Sequence, residues 1–259
     1  MLKRSLLSEG LCFLCFFCSG TASAQKTPPP SEKISAAEVL KRHIAAMGGE
    51  EALRNLQTLH VQGVLEWRLS NSRNFGDVHF YYKAPNRDVF RLDSQGRGLT
   101  AIGHSDGKPF EESTRPAERA QWINGVAMAV MEMNCVAIIE WAYEQNYTHI
   151  ELVGVAPIDG EWAYGLRFTP KYGDQQLRFY DAKSFRLVRF VLLQRVGLEG
   201  KQTNSAYNVE TTFSDYDTSS GIPFPGRFTM KDPHGILYME IRRVRRDEHL
   251  EDSLFTKAF

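Results

Sequence analysis

From Thr58 onward the chain alternates. Leu59, Val61, Leu65, Trp67 and Leu69 are apolar, and His60, Gln62, Glu66 and Arg68 between them are polar. A period of two predicts a half-buried strand with one face turned to a core. Gly63 breaks the apolar face, which predicts a bulge or a close backbone approach. Val78, Phe80 and Tyr82 line a second strand. Asp88 to Asp93 and Leu99 to His104 form a third and fourth, and Asp106-Gly107 is a hairpin turn. Strands resume at His149. Trp162, Tyr164, Leu166 and Phe168 make an aromatic face. Gln175 to Tyr180 and Phe185 to Val196 flank a turn at Asp181-Ala182-Lys183-Ser184. Ala206 to Tyr216, Gly226 to Lys231 and Ile236 to Arg246 follow, with another turn at Asp232-Pro233-His234-Gly235. The pattern predicts about eleven strands, hairpin-connected and hence antiparallel. There is no interior linker and no repeat, so residues 34–259 read as one domain.

Helical spacing appears twice. Ser35-Ala36-Ala37-Glu38 is a capping box, with Ile34 and Val39 placed as a hydrophobic staple. Ala37, Leu40, Ile44 and Met47 then form an apolar stripe, ended by Gly48 or Gly49. No strand precedes these glycines and no phosphate-loop pattern contains them, so they read as a cap and a corner. Glu50 to Leu56 is a further short turn. Pro116 to Gln145 has helical composition, with Gly125 as a break. Val126 to Tyr143 is apolar almost all round, through Met128, Val130, Met131, Met133, Val136, Ile138, Ile139 and Trp141. Glu132, Asn134 and Glu140 interrupt it, which argues against a membrane span and for a helix that is buried or covers something apolar.

The first residues read as a leader. Lys3 and Arg4 precede a short apolar run, Leu11 to Phe17, and Ala22-Ser23-Ala24 supplies small residues before Gln25. That is a signal peptide over residues 1–24, cleaved after Ala24, and it predicts a periplasmic protein. Residues 25–33, with Pro28-Pro29-Pro30, form a stiff Pro-rich spacer. Cys12, Cys15 and Cys18 have the spacing of a metal-binding run but lie within the leader. Only Cys135 remains, so no intramolecular disulfide is available, and a monomer held by its own core is expected. Lys+Arg and Asp+Glu both number 31, which leaves no overall basic footprint for nucleic acid.

Catalytic patterns are missing. There is no H-E-x-x-H and no G-x-S-x-G. The seven histidines are scattered, and His104-Ser105-Asp106 falls on a turn. Glu111 and Glu112 are adjacent on a strand and point to opposite faces. Arg242, Arg243, Arg245 and Arg246 are expected to split between faces along a solvated edge. No catalytic residue, metal or cofactor is assigned. What remains is an apolar surface: Leu65, Trp67, Phe80, Tyr82, Trp162, Tyr164 and Phe168 from the strands, with Met128, Met131 and Trp141 from the apolar helix. A sheet of this size curves. Helices packed tightly on that face give a core, and helices that gape give an apolar pocket, which flexible methionines suit.

Five stretches carry a resemblance. They are "VLKRHIAAMGGEEALRNLQTLHVQG" (Val39 to Gly63), "ELVGVAPIDGEWAYGLRFTP" (Glu151 to Pro170), "LRFYDAKSFRLVR" (Leu177 to Arg189), "FSDYDTSSGIPFPGRFTM" (Phe213 to Met230) and "LEDSLFTKAF" (Leu250 to Phe259). In this order the chain resembles the periplasmic outer-membrane lipoprotein-sorting carriers of the LolA/LolB type, as a divergent member. The resemblance implies an α+β fold: a curved antiparallel sheet in an unclosed half-barrel, covered by a few helices around an apolar cavity. It implies a non-catalytic carrier of lipoprotein acyl chains or lipid, working between inner- and outer-membrane envelope proteins. Relatives of the fold also include envelope sensors that receive a polypeptide in the groove, which stands as the alternative. No family binding residue carries over, because the carriers' lid-locking arginine aligns with none here. N-terminal sequencing of the exported protein should begin at Gln25; a chain that still begins at Met1 would refute the leader.

Overall fold

The alternation that starts at Thr58 builds one very wide sheet. The computed structural model describes residues 30, 33–69, 72–95, 98–106, 108–114, 143–171, 175–198, 201–232 and 235–256. Its strands are β1 (Thr58–Leu69), β2 (Ser72–Lys83), β3 (Arg87–Ser94), β4 (Gly98–Ser105), β5 (Lys108–Ser113), β6 (Tyr147–Ile158), β7 (Glu161–Pro170), β8 (Gln176–Asp181), β9 (Leu187–Leu198), β10 (Lys201–Ser214), β11 (Arg227–Asp232) and β12 (Gly235–Arg246). The strand beyond the eleven with clear alternation is β5, the one that carries Glu111 and Glu112, whose six residues are of mixed polarity.

All twelve strands lie in a single sheet in the order β5-β4-β3-β2-β1-β12-β11-β10-β9-β8-β7-β6. Every pairing is antiparallel. The first and last strands meet in the middle, and two meanders run outward from them. β5 and β6 are consecutive among the strands yet sit at opposite edges, so the sheet does not close.

Three helices are described: α1 (Ala36–Ala46), α2 (Glu50–Arg54) and the single turn α3 (Tyr143–Asn146). None among the described residues is long and apolar enough to cross a membrane. The expected helix from Val126, with Met128, Met131, Cys135 and Trp141, lies outside the described residues. α1 makes one half of the capping box, Ser35 Oγ accepting from the Glu38 N–H at 3.2 Å, while the Glu38 carboxylate turns to Arg42 and not back to the Ser35 N–H. The Glu38 carboxylate accepts from Arg42 Nε at 2.7 Å, an i,i+4 pair on the helix surface. Ile34 and Val39 are both buried, as a staple would have them. The apolar stripe is rotated from its expected position. Leu40 and Met47 are buried, Ile44 is half-buried and Ala37 is exposed, while Val39 and His43 turn inward. Gly48 and Gly49 hold φ of 103° and 90°, and so make the corner between α1 and α2.

One face of the sheet carries the main core, which includes Leu65, Trp67, Phe80, Phe90, Leu166, Phe168, Phe190, Phe213, Met230 and Met239. We call this the inner face. Gly63 behaves as its place in the pattern predicts. The register between β1 and β12 shifts between Gln62 and Gly63, and a Cβ at Gly63 would lie 2.4 Å from the Glu240 carbonyl oxygen. The basic run does split between faces, with Arg246 opposite inner-face Leu59, but the same bulge makes the split uneven. Arg243 pairs with Gln62 and Arg245 with His60, both on the outer face, and Arg242 lines the outer face beside Tyr238 and Glu240. The extra residue of a bulge suspends strict alternation, so these three arginines share one face.

After β12 the chain folds back under the outer face as a strap. Asp247 N–H donates to Thr58 O at 2.9 Å, and Thr58 Oγ1 donates to Glu248 O at 2.7 Å. Lys83 Nζ donates to Leu250 O at 2.8 Å and pairs with Asp252 at 2.6 Å. Arg91 Nη2 donates to Leu254 O at 2.8 Å. A 3₁₀ turn, Asp252–Phe255, then seats Phe255 and Leu250 against Val89 and Ala101 as a second, smaller core. Phe255→Ala should cost about 3–5 kcal/mol, as aromatic truncations in packed cores do; a melting curve unchanged from wild type would show that the strap contributes nothing.

Beside the strap, His60 Nδ1 lies 2.7 Å from Glu248 Oε1 and His60 Nε2 lies 3.1 Å from His79 Nδ1. With both rings neutral, His79 donates to His60 and His60 donates to the carboxylate. Burial first, and then the neighbouring His60, hold His79 below the ordinary imidazole value, and Arg91 adds to this while Asp77 opposes it. The folded state therefore binds this proton less tightly than the unfolded chain does. Its contribution to stability is complete above about pH 6.5 and is lost as pH falls below that value. Melting temperatures should decline from about pH 7 to pH 5.5, and His79→Gln should flatten that slope; equal slopes for the two proteins would remove His79 as the cause.

Candidate ligand-binding face

The inner face is built by register. One transverse row takes a single residue from each of nine strands: Leu152, Leu166, Arg178, Phe190, Thr211, Met230, Leu237, Trp67 and Asn74, from β6 across to β2. At about 4.8 Å between neighbouring strands the row runs roughly 38 Å along the sheet. Parallel rows carry Phe168 and Leu192 on one side, and Phe213, Phe228, Met239 and Leu65 on the other.

Most of the strand residues singled out in the sequence lie on this face. Leu65, Trp67, Phe80, Tyr164 and Phe168 belong to one buried cluster, and Tyr82 packs half-buried against it. They occupy two wings, β1 and β2 on one side and β7 on the other. Trp162 is half-buried at the start of β7, where its carbonyl accepts from Ala182 N–H at 2.8 Å. Met128, Met131 and Trp141 lie outside the described residues. The expanse between the wings comes from β9 to β12, in residues that alternate as plainly as those in β1 but are less aromatic.

The face is not uniformly apolar. Arg178 and Thr211 are fully buried on the row, and Gln176 is buried beside them. β8 is inverted: its Gln176, Arg178 and Tyr180 point inward, while Leu177 and Phe179 are half-exposed. Read alone, the strand would be turned the other way. Its ladders to β7 and β9 override that preference, because a slip of one residue would reverse every side chain on it. Arg178 Nη2 donates to Gln176 Oε1 at 2.7 Å and also to the Tyr147 hydroxyl. Its guanidinium lies 4.2 Å from the centre of the Phe168 ring. Burying a charge costs several kcal/mol. Hydrogen bonds and aromatic faces offset part of that, and they suit a planar guanidinium better than an ammonium.

His43 on α1 also escaped the sequence reading. It is fully buried; its Nδ1 lies 2.8 Å from the Phe185 carbonyl oxygen and its ring centroid 4.8 Å from that of Tyr180. Together with Arg42 stacked over Phe185 at 5.2 Å, it pins α1 to the β8–β9 turn, at one end of the inner face. The sequence signal was its place three residues after Leu40 and four before Met47, on the buried stripe.

No protein-family model matches the chain, and no curated protein does. Solved structures do match. A DUF1329-family protein from Desulfovibrio piger is 11% identical, over 86% of this chain and 98% of that one, with a TM-score of 0.54. A LolA-superfamily protein from Nitrosomonas europaea is 14% identical, over 87% of this chain and 99% of that one, with a TM-score of 0.53. At such identities the likeness is one of fold, and it extends over nearly the full length of each solved chain. A wide, unclosed antiparallel sheet with few helices is what the sequence resemblance implied, and the chain has the LolA-like fold.

Proposed function

We propose that this chain is a non-catalytic periplasmic carrier that holds the acyl chains of lipoproteins or lipids against the inner face of its sheet. The observation that carries this reading is the transverse row and its apolar neighbours, a continuous surface on a sheet whose edges are not bonded to each other. Each methylene laid on such a surface gains about 0.8 kcal/mol on leaving water, so an acyl chain needs no specific polar contact to bind. An open-edged sheet can also flatten or curl without breaking any ladder hydrogen bond, which a closed barrel cannot. The inner residues are buried in this conformation, with Trp67 only 4% exposed. Loading therefore requires the face to be uncovered, and envelope membrane proteins that deliver and receive the cargo would be the partners. The ligand surface on this reading is Leu65, Trp67, Phe80, Tyr82, Tyr164 and Phe168, together with the β9 to β12 residues between them.

A fluorescent fatty-acyl probe tests the proposal. The wild-type protein should bind it saturably, and unlabelled lipid should displace it. Trp67→Leu removes a ring from the face without adding charge and should weaken binding about tenfold. Arg68→Ala, on the opposite face, should leave binding unchanged, and melting curves should show both variants folded. Absence of binding by the wild type would overturn the carrier reading and leave the inner face as a plain core.

A further inference from the structure

The outer face carries a groove of about 530 Å³ that an acyl carrier's inner face does not use. Two transverse lines of residues form it. Phe75, Glu66, Tyr238 and Thr229 make the first, and Asp77, Val64, Glu240 and Arg227 the second. Phe75 is 49% exposed, the most exposed large hydrophobic side chain among the described residues. Arg68 lies over the Tyr238 ring at 4.5 Å and pairs with Glu66 at 2.6 Å. The hydrogen bond from Arg68 holds the Glu66 carboxyl below its usual range, so it remains charged. At one end the β12 bulge brings Arg242 and Arg243 onto the same face. Arg227 has Asp215 at 3.1 Å and Arg245 has Glu248 at 3.3 Å. Arg242 and Arg243 are exposed and have no ion-pair partner among the described residues.

We infer that this groove docks an extended polypeptide segment of a partner protein, which lays an apolar side chain on Phe75 and sets an acidic side chain against Arg242 and Arg243. The charge pattern selects this class of partner. Glu66, Asp77 and Glu240 alternate with the guanidiniums, so a uniformly anionic surface such as a membrane would meet repulsion along the groove. A polypeptide can match both signs. The surplus is positive and lies at the Arg242–Arg243 end, which fixes where the acidic residue sits. Arginine favours a carboxylate there because its fork bonds both oxygens. Phe75 lies four residues along the ladder and two strands across from Arg243, about 16 Å at about 3.3 Å per residue and about 4.8 Å per strand, so the two contacts fall within a short extended segment laid obliquely over the strands.

The test is selection from a random dodecapeptide display library on the wild-type protein. Enriched peptides should carry Asp or Glu about five residues from a large apolar side chain. As synthetic peptides they should bind about tenfold or more weakly to the Arg242→Glu/Arg243→Glu variant and to Phe75→Ser, and less tightly as salt rises. These positions are exposed, so melting curves and acyl-probe binding should match the wild type. No enrichment, or peptides whose binding survives both variants, would overturn the inference. So would arginine-dependent sedimentation with phosphatidylglycerol vesicles in the absence of peptide binding, which would make the face a membrane contact.

Discussion

The sheet depends on the pairing of β1 with β12. These strands come from opposite ends of the domain, and their ladder runs from Leu59 opposite Arg246 to Leu69 opposite Gly235. Without it the chain would be two separate meanders, β1–β5 and β6–β12, each with an unpaired long edge. Closing a loop across nearly the whole domain costs entropy that local hairpins do not pay. The contact is accordingly reinforced. The inner side of the ladder carries Leu59, Val61, Leu65 and Trp67 against Leu237 and Met239. Just past its end the strap ties Asp247 and Glu248 to Thr58, then reaches Lys83 and Arg91 on the next two strands. The C-terminal segment thus fastens the seam on the face that the main core leaves open.

Placing the seam in the middle moves the free edges outward. β5 and β6 stand at the two ends of the order, and β6 is interrupted by two register shifts against β7. Such irregularities blunt an edge strand as a template for pairing with other chains. The result is a broad surface whose curvature is not locked by closure. On the proposed carrier reading, that property would suit cargo of variable length, while the opposite face stays on the far side of the sheet from the apolar row.

The two faces solve different electrostatic problems. On the inner face a guanidinium is buried at Arg178, held by Gln176, Tyr147 and the Phe168 ring. On the outer face charges are solvated and alternate in sign, and each pair contributes little to stability. Their value there lies in pattern, since the arrangement of guanidiniums and carboxylates around Phe75 and Tyr238 decides what can approach.

The residues alone determined the period of the strands, the turns between them, the glycine corner after α1 and the bulge at Gly63. These are local consequences of backbone sterics and of the two-residue alternation, and they need no knowledge of neighbours. The membership of Leu65, Trp67, Phe80, Tyr164 and Phe168 in one face was legible for the same reason. Three features were decided only by tertiary structure. β8 turns Arg178 inward and Phe179 outward because two flanking ladders fix its register against its own polarity. His43 displaces Ala37 from the buried stripe because the Phe185 carbonyl and the Tyr180 ring wait for it on another strand. Arg242, Arg243 and Arg245 share a face because the bulge is defined by a partner strand some 180 residues earlier in the chain. In each case the deciding energy lies between segments far apart in sequence, and alternation within one segment carries no information about it.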